Sequence, residues 1–137
     1  MDYSRQVILC VDDDKDTSAG LSILLELSGY AVKTAGGVAE ALSLAQSERF
    51  DLYLFDYNFA DGTGIELCER LRSFDRTTPI VFCSGEVREE ERELAGKVGA
   101  QAYLVKPVDP TVLLQTIARW LDPMAGRDPW AQSKVES

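Results

Sequence analysis

Four short apolar runs, far apart in the chain, each end on a polar residue. Val7-Ile8-Leu9-Cys10-Val11 ends at Asp12-Asp13-Asp14, and Leu52-Tyr53-Leu54-Phe55 ends at Asp56. Ile80-Val81-Phe82-Cys83 ends at Ser84, and Tyr103-Leu104-Val105 ends at Lys106-Pro107. Runs of this length between turn signals read as strands buried on both faces, the habit of a parallel sheet. Ligands of an open parallel sheet bind outside the carboxyl ends of its strands. The polar residues at these ends are therefore expected to converge on one crevice.

The spacing predicts strands over Val7–Val11, Ala31–Ala35, Leu52–Phe55, 80–83 and Ala102–Val105. Amphipathic stretches alternate with them. The first carries Leu21, Leu24 and Leu25 behind a capping Asp14 and stops at Gly29, a natural left-handed cap. The second spans Val38–Ser47 and the third 64–74. The fourth, 87–98, is crowded with charge (Arg88 to Glu93), which reads as a solvated face with a Glu93–Lys97 pair at i,i+4. The fifth opens on Asp109-Pro110, a cap followed by proline at the first helical position. Five β-α units predict an α/β layered sandwich with right-handed crossovers. The pattern stops after Leu121. Residues 123–137 read as a tail or truncated linker, with Trp130 placed to pin it to the domain.

At 137 residues the chain fits one domain with a sizeable core. Its apolar runs are too short to span a bilayer and the N-terminus shows no signal peptide, so neither membrane nor secretion is expected. A formal net charge of −9 opposes binding to phosphate backbones, so nucleic acid is not an expected partner. The three cysteines read as small buried hydrophobes in a reducing cytoplasm. The absence of histidine excludes Ser-His-Asp and Cys-His triads and any histidine metal ligand.

Asp12, Asp13 and Asp56 at neighbouring strand ends would repel one another, and a hard divalent cation is the best remedy. Mg²⁺ takes a few carboxylates, a carbonyl and waters, which two or three aspartates match and zinc or copper chemistry does not. A carboxylate can itself attack phosphorus to give an aspartyl phosphate. The equatorial oxygens of a transferring phosphoryl group then need partners, which Mg²⁺, the Lys106 ammonium and the Ser84 hydroxyl can provide. Asp56, on the central run, is the natural nucleophile.

The fragments 8–14, 51–62, 81–85 and 102–107, in this order and spacing, resemble the receiver domain of bacterial two-component response regulators. The likeness covers nearly the whole chain, with residues 4–122 as the domain. It implies a flavodoxin-like (βα)5 sandwich with strand order 2-1-3-4-5. By position, Asp56 matches the phosphoacceptor, and Asp13 and Asp12 match the Mg²⁺ ligands, the latter largely through water; Mn²⁺ is a possible substitute. Asn58 matches the residue whose backbone carbonyl completes the metal shell. Lys106 matches the phosphate-binding lysine, Ser84 the hydroxyl switch and Tyr103 the aromatic switch. Asn58 and Glu86 match positions that tune dephosphorylation, and the Lys106–Pro107 bond is cis in this family. Ala60 departs from the usual proline.

The resemblance implies a signalling switch and not an enzyme beyond its own phosphorylation and dephosphorylation. Its phosphoryl donor would be a sensor histidine kinase or phosphotransfer protein. Its output would be a downstream protein or a self-dimer, bound through the face of the fourth helix, fifth strand and fifth helix. Two other readings compete. One is a phosphorylation-independent adaptor on the same fold. The other is a Mg²⁺-dependent phosphohydrolase, disfavoured because Asn58 stands where such enzymes need a second aspartate.

Overall fold

The computed structural model describes residues 5–85 and 88–122; Glu86, Trp130 and the expected tail at 123–137 lie outside the described residues. In chain order the main elements are β1 (Val7–Val11), α1 (Lys15–Leu27), β2 (Ala31–Ala35), α2 (Val38–Ser47) and β3 (Leu52–Phe55). Then follow α3 (Gly64–Arg72), β4 (Ile80–Ser84), α4 (Glu89–Lys97), β5 (Ala102–Val105) and α5 (Pro110–Leu121). The five strands pair in parallel in the order β2-β1-β3-β4-β5. This is the predicted flavodoxin-like sandwich. Between β3 and α3 the chain adds a feature the pattern did not reveal, an antiparallel ribbon pairing Asn58–Phe59 with Gly62–Thr63.

Alternation along each strand sorts the core into two layers, because successive side chains point to opposite sheet faces. Leu9, Val11, Tyr53, Phe55, Ile80 and Phe82 face α2, α3 and α4 with Leu42, Leu67 and Leu71. Ile8, Cys10, Leu52, Leu54, Val81 and Cys83 face α1 and α5 with Leu25, Leu113 and Ile117. Each fully buried leucine or isoleucine here contributes roughly 1.5–3 kcal/mol over exposure.

The helix ends follow their caps. The Asp14 carboxylate accepts from the Asp16 and Thr17 N–H groups, and the Asp109 carboxylate accepts from Thr111 N–H ahead of Pro110. Gly29 closes α1 at φ +100, with Gly29 N–H on Glu26 O and Tyr30 N–H on Leu25 O, the ending that a side chain at this φ would strain. Two helices are shorter than their apolar patterns. α3 stops at Arg72, because Ser73 caps it and Asp75 turns the chain by accepting from Thr77 and Thr78 N–H. α4 starts at Glu89 behind an extended Arg88. Among the described residues, the ion pair at the start of α4 is Arg88–Glu91, at 3.9 Å, and the expected Glu93–Lys97 pair is not formed.

Opposite the strand carboxyl ends, Arg72 ties three segments together. Its guanidinium donates to Gly99 O at 2.8 Å, Asp75 O at 2.9 Å and Gln101 Oε1 at 3.2 Å. Gln101 Oε1 also accepts Ile80 N–H at 2.7 Å, and Cys68 Sγ donates to Val98 O at 3.4 Å. The turn between α4 and β5 is thereby fastened to α3 and β4.

Candidate functional site

Parallel pairing of β1, β3, β4 and β5 brings Asp12, Asp56, Ser84 and Lys106 to one edge, because each directly follows or ends its strand. One carboxylate oxygen from each of Asp12, Asp13 and Asp56 lies within 4.8 Å of the others. Asp12 is buried, Asp56 half-buried and Asp13 exposed, so the cluster opens to solvent on the Asp13 side.

Lys106 is the counter-charge. Its Nζ donates to Asp12 Oδ2 at 2.9 Å and to Asp56 Oδ2 at 3.4 Å. Burial alone would lower the lysine pKa, but the Asp12 hydrogen bond and both carboxylates outweigh it and hold the value above the ordinary one. Asp12 Oδ1 accepts Asp14 N–H at 2.9 Å, so the Asp12 carboxylate is engaged on both oxygens. Asp56 is also engaged on both oxygens, its Oδ1 accepting Tyr57 N–H at 2.7 Å, but its Lys106 bond at 3.4 Å is longer than that of Asp12. Burial and the Asp12 charge raise the Asp56 pKa, against the Tyr57 N–H and Lys106. One ammonium thus faces three carboxylates. The excess of negative charge, presented by oxygens only, fits a hard cation such as Mg²⁺.

The other predicted residues surround this cluster. Ser84 is buried at the end of β4, and its carbonyl accepts Lys106 N–H at 2.8 Å, which sets the height of the lysine. Asn58 is exposed on the ribbon two residues after Asp56. The Lys106–Pro107 bond is cis, as the resemblance implied. Tyr103 lies half-buried against the core. Its ring stacks on Phe82 at 5.8 Å and 9°, the Tyr57 ring lies 6.4 Å away, and the Arg92 guanidinium covers it at 5.6 Å. Arg92 makes a cation–π contact there that tethers α4 to the aromatic cluster.

The roles of three residues between Asp56 and the first turn of α3 escaped the sequence reading. Thr63 caps α3, with its hydroxyl accepting Glu66 N–H while Glu66 accepts Thr63 N–H. The Thr-x-x-Glu spacing carried that signal. At Gly64 any Cβ would lie 2.6 Å from Asp56 O and 2.6 Å from Phe82 Cε2, so only glycine permits this approach. Asp61, named above only within the fragment 51–62, reaches beyond its own turn. Its carboxylate accepts Val38 N–H at 2.8 Å and Ala39 N–H at 3.0 Å, at the start of α2. Those two bonds, Ala39's first, hold its pKa below the ordinary value. No local pattern announces a cap donated from 22 residues away.

A sheet of this order with such a carboxylate-lysine cluster at its carboxyl edge defines a class, and comparison with known proteins agrees. The sequence profile of the response regulator receiver domain matches residues 8–118, and the chain belongs to that family. It is 37% identical over 115 residues to an uncharacterized 14.6 kDa protein of Leptolyngbya boryana, covering 82% of this chain and 88% of that one. It is 35% identical over 130 residues to the transcriptional regulatory protein PrrA of Mycobacterium tuberculosis, covering 95% of this chain but 54% of PrrA. Among solved structures, a CheY-like receiver domain protein from Methanospirillum hungatei superposes with a TM-score of 0.84 at 34% identity, over 87% of this chain and 95% of that one. The chemotaxis protein CheY4 of Vibrio cholerae does so at 0.80 and 36% identity, over 85% and 98%. Membership places the chain among the receiver domains of two-component response regulators, a family of signalling switches. Among the described residues no helix is long and apolar enough to cross a membrane.

Proposed function

We propose that Asp56 accepts a phosphoryl group from the phosphohistidine of a sensor histidine kinase or phosphotransfer protein. An Asp56 carboxylate oxygen attacks phosphorus, the P–O bond forms, and the P–N bond to the donor imidazole breaks. The observation that carries this reading is the close approach of the Asp12, Asp13 and Asp56 carboxylates, within 4.8 Å, with Lys106 set between Asp12 and Asp56.

Asp12, Asp13, Asp56 and the Asn58 backbone carbonyl would hold Mg²⁺, or Mn²⁺ in its place. The cation, when bound, supplies positive charge that offsets carboxylate repulsion and the charge on the phosphoryl oxygens. Lys106 supplies a second positive group. Its bond to Asp56 is the longer of its two, so it can turn to a phosphoryl oxygen while keeping Asp12. The Ser84 hydroxyl takes a further oxygen. Tyr103, stacked on Phe82 one strand over, relays that change to α4 through Arg92. The output is altered affinity of the α4-β5-α5 face for a downstream protein or a second copy. Residues 4–122 act as the unit, residues 123–137 as tail or linker, and Asn58 and Glu86 set the phosphate lifetime.

Intact mass after incubation with acetyl phosphate and Mg²⁺ tests the assignment. One added phosphoryl group is expected, absent in Asp56→Asn and without metal. A wild-type protein that is folded yet gains no mass would remove the phosphoacceptor reading and leave a phosphorylation-independent adaptor. Repeated turnover of a phosphate ester would instead favour a phosphohydrolase.

A further inference from the structure

The ribbon that follows Asp56 is fastened at two points. At its base Gly64 N–H donates to Tyr57 O at 2.6 Å. At its tip Asp61 reaches across to α2 and accepts the Val38 and Ala39 N–H groups. These donors belong to the first turn of α2, where backbone N–H groups lack intrahelical partners and the helix dipole favours an anion. Gly37, the residue at the α2 cap position, offers no side chain of its own. A Cβ there would sit 2.5 Å from Asp61 Oδ1, so the glycine leaves room for the incoming carboxylate. The backbone of Gly37 is extended, at φ −175, and would suit any residue; the glycine is required by the approach and not by the dihedral. Asp61 lies three residues after Asn58, as the second residue of the two-residue turn that joins the ribbon strands, so the anchor fixes the turn next to the strand that carries the Asn58 carbonyl.

We infer that Asp61 is a positioning residue for the cation site: by docking the ribbon tip on the start of α2, it holds the Asn58 carbonyl toward Asp13 and Asp56. This inference rests on the metal reading above. A helix cap borrowed from another segment couples two structural demands, the stability of α2 and the placement of the loop. The two can be separated experimentally. Removing Asp61 also frees the space beside Gly37, so a serine placed there can cap α2 locally.

The experiment measures Mg²⁺ dissociation constants by calorimetric titration of the unphosphorylated protein, together with thermal unfolding in EDTA. Asp61→Ala should bind Mg²⁺ about ten-fold more weakly, the scale seen when a group that orients a metal ligand is lost. Asp61→Asn, which keeps one acceptor oxygen, should fall between. The double variant Asp61→Ala/Gly37→Ser should recover the unfolding midpoint but not the Mg²⁺ affinity. If the serine restores affinity as well, Asp61 serves only the helix and the inference fails. Unchanged affinity in Asp61→Ala and Asp61→Asn also overturns it while leaving the metal reading intact. Absence of Mg²⁺ binding in the wild-type protein removes both.

Discussion

Replacing Asp56 by asparagine should stabilise the metal-free protein, although it removes a residue from the heart of the site. At 4.8 Å, the outer limit of the carboxylate cluster, two unit charges repel by about 3.5 kcal/mol at an effective dielectric of ~20 and by about 0.9 kcal/mol in water. Lys106, at 3.4 Å from Asp56, offsets much of this, yet it sits closer to Asp12 and cannot neutralise both carboxylates. Asp56 is partly solvated, so screening trims the remainder to roughly 1 kcal/mol. For a domain of this size that is an increase of about 3–5 °C in Tm. The pH dependence follows from the raised Asp56 pKa, which burial and Asp12 push above its ordinary 3.8. The folded state keeps the Asp56 proton to higher pH than the unfolded chain. Stability therefore falls as pH climbs from 3.8 through the folded-state value, and above it the penalty is complete. Asparagine carries no such penalty. The advantage of Asp56→Asn should be full at neutral pH and should vanish in acid below 3.8. Excess Mg²⁺ should reverse the ranking, because a ligand that binds only the folded state stabilises the protein that retains its carboxylate. Circular dichroism melts in EDTA and in MgCl₂, across pH, measure all of this. An Asp56→Asn protein that melts lower than wild type in EDTA at neutral pH would refute the account of the site as an excess of negative charge.

Other consequences follow from single contacts. Gly64→Ala should cost about 1–3 kcal/mol by overpacking against Asp56 O and Phe82, and should slow phosphorylation by acetyl phosphate; a denaturant midpoint equal to wild type would count against the tight approach. Burial raises the thiol pKa values of Cys10 to about 12 and of Cys68 and Cys83 to about 11, so an aromatic disulfide reagent should label none of them rapidly until denaturant is added. Fast labelling of any one in buffer would contradict its burial. At Asp75, burial pushes the pKa up, but the bonds from Thr78, Tyr53 and Thr77 outweigh it and hold the carboxyl below its ordinary 3.8. Its contribution is present above 3.8 and is lost as pH falls through the lower folded-state value, so Asp75→Asn should flatten the acid limb of a stability–pH curve. An unchanged acid limb would show that these bonds do not favour the ionised form.

What could be read in the sequence was what local pattern encodes. Alternating strand and helix periods placed all five strands, and the caps at Asp14 and Asp109 placed two helix starts, because each depends on residues within one turn. The site was legible for a related reason. A charged residue directly after four buried apolar ones is costly without partners, which marked Asp12 and Asp56, and Lys106 follows a half-buried apolar strand beside them. Strand order came from family resemblance, since pairing across the sheet is not written in any one segment. The role of Asp61 was not legible because its partners, Val38 and Ala39, belong to another element. The ribbon was missed because strands of two residues have no period to detect. The ends of α3 and α4 were overrun because apolar spacing continued past Ser73 and began before Arg88, while the backbone turned for Asp75 and at Arg88.

The bonds of Arg72 have a mechanical consequence. They nail down the far end of the α4–β5 turn, at Gly99 and Gln101, well away from the phosphoacceptor edge. At the opposite end α4 is held by a softer contact, the Arg92 guanidinium over the Tyr103 ring, while the Arg88–Glu91 pair lies within its own first turn. With that end tied, a push delivered at the site end is expected to swing α4 about the turn more readily than to slide it along the sheet. Displacement then grows with distance from Gly99, so the first turn of α4 travels farthest and Val98 hardly moves. If Asp56 is phosphorylated as proposed, small shifts beside Ser84 and Tyr103 would be turned by this leverage into larger ones on the outer surface of α4.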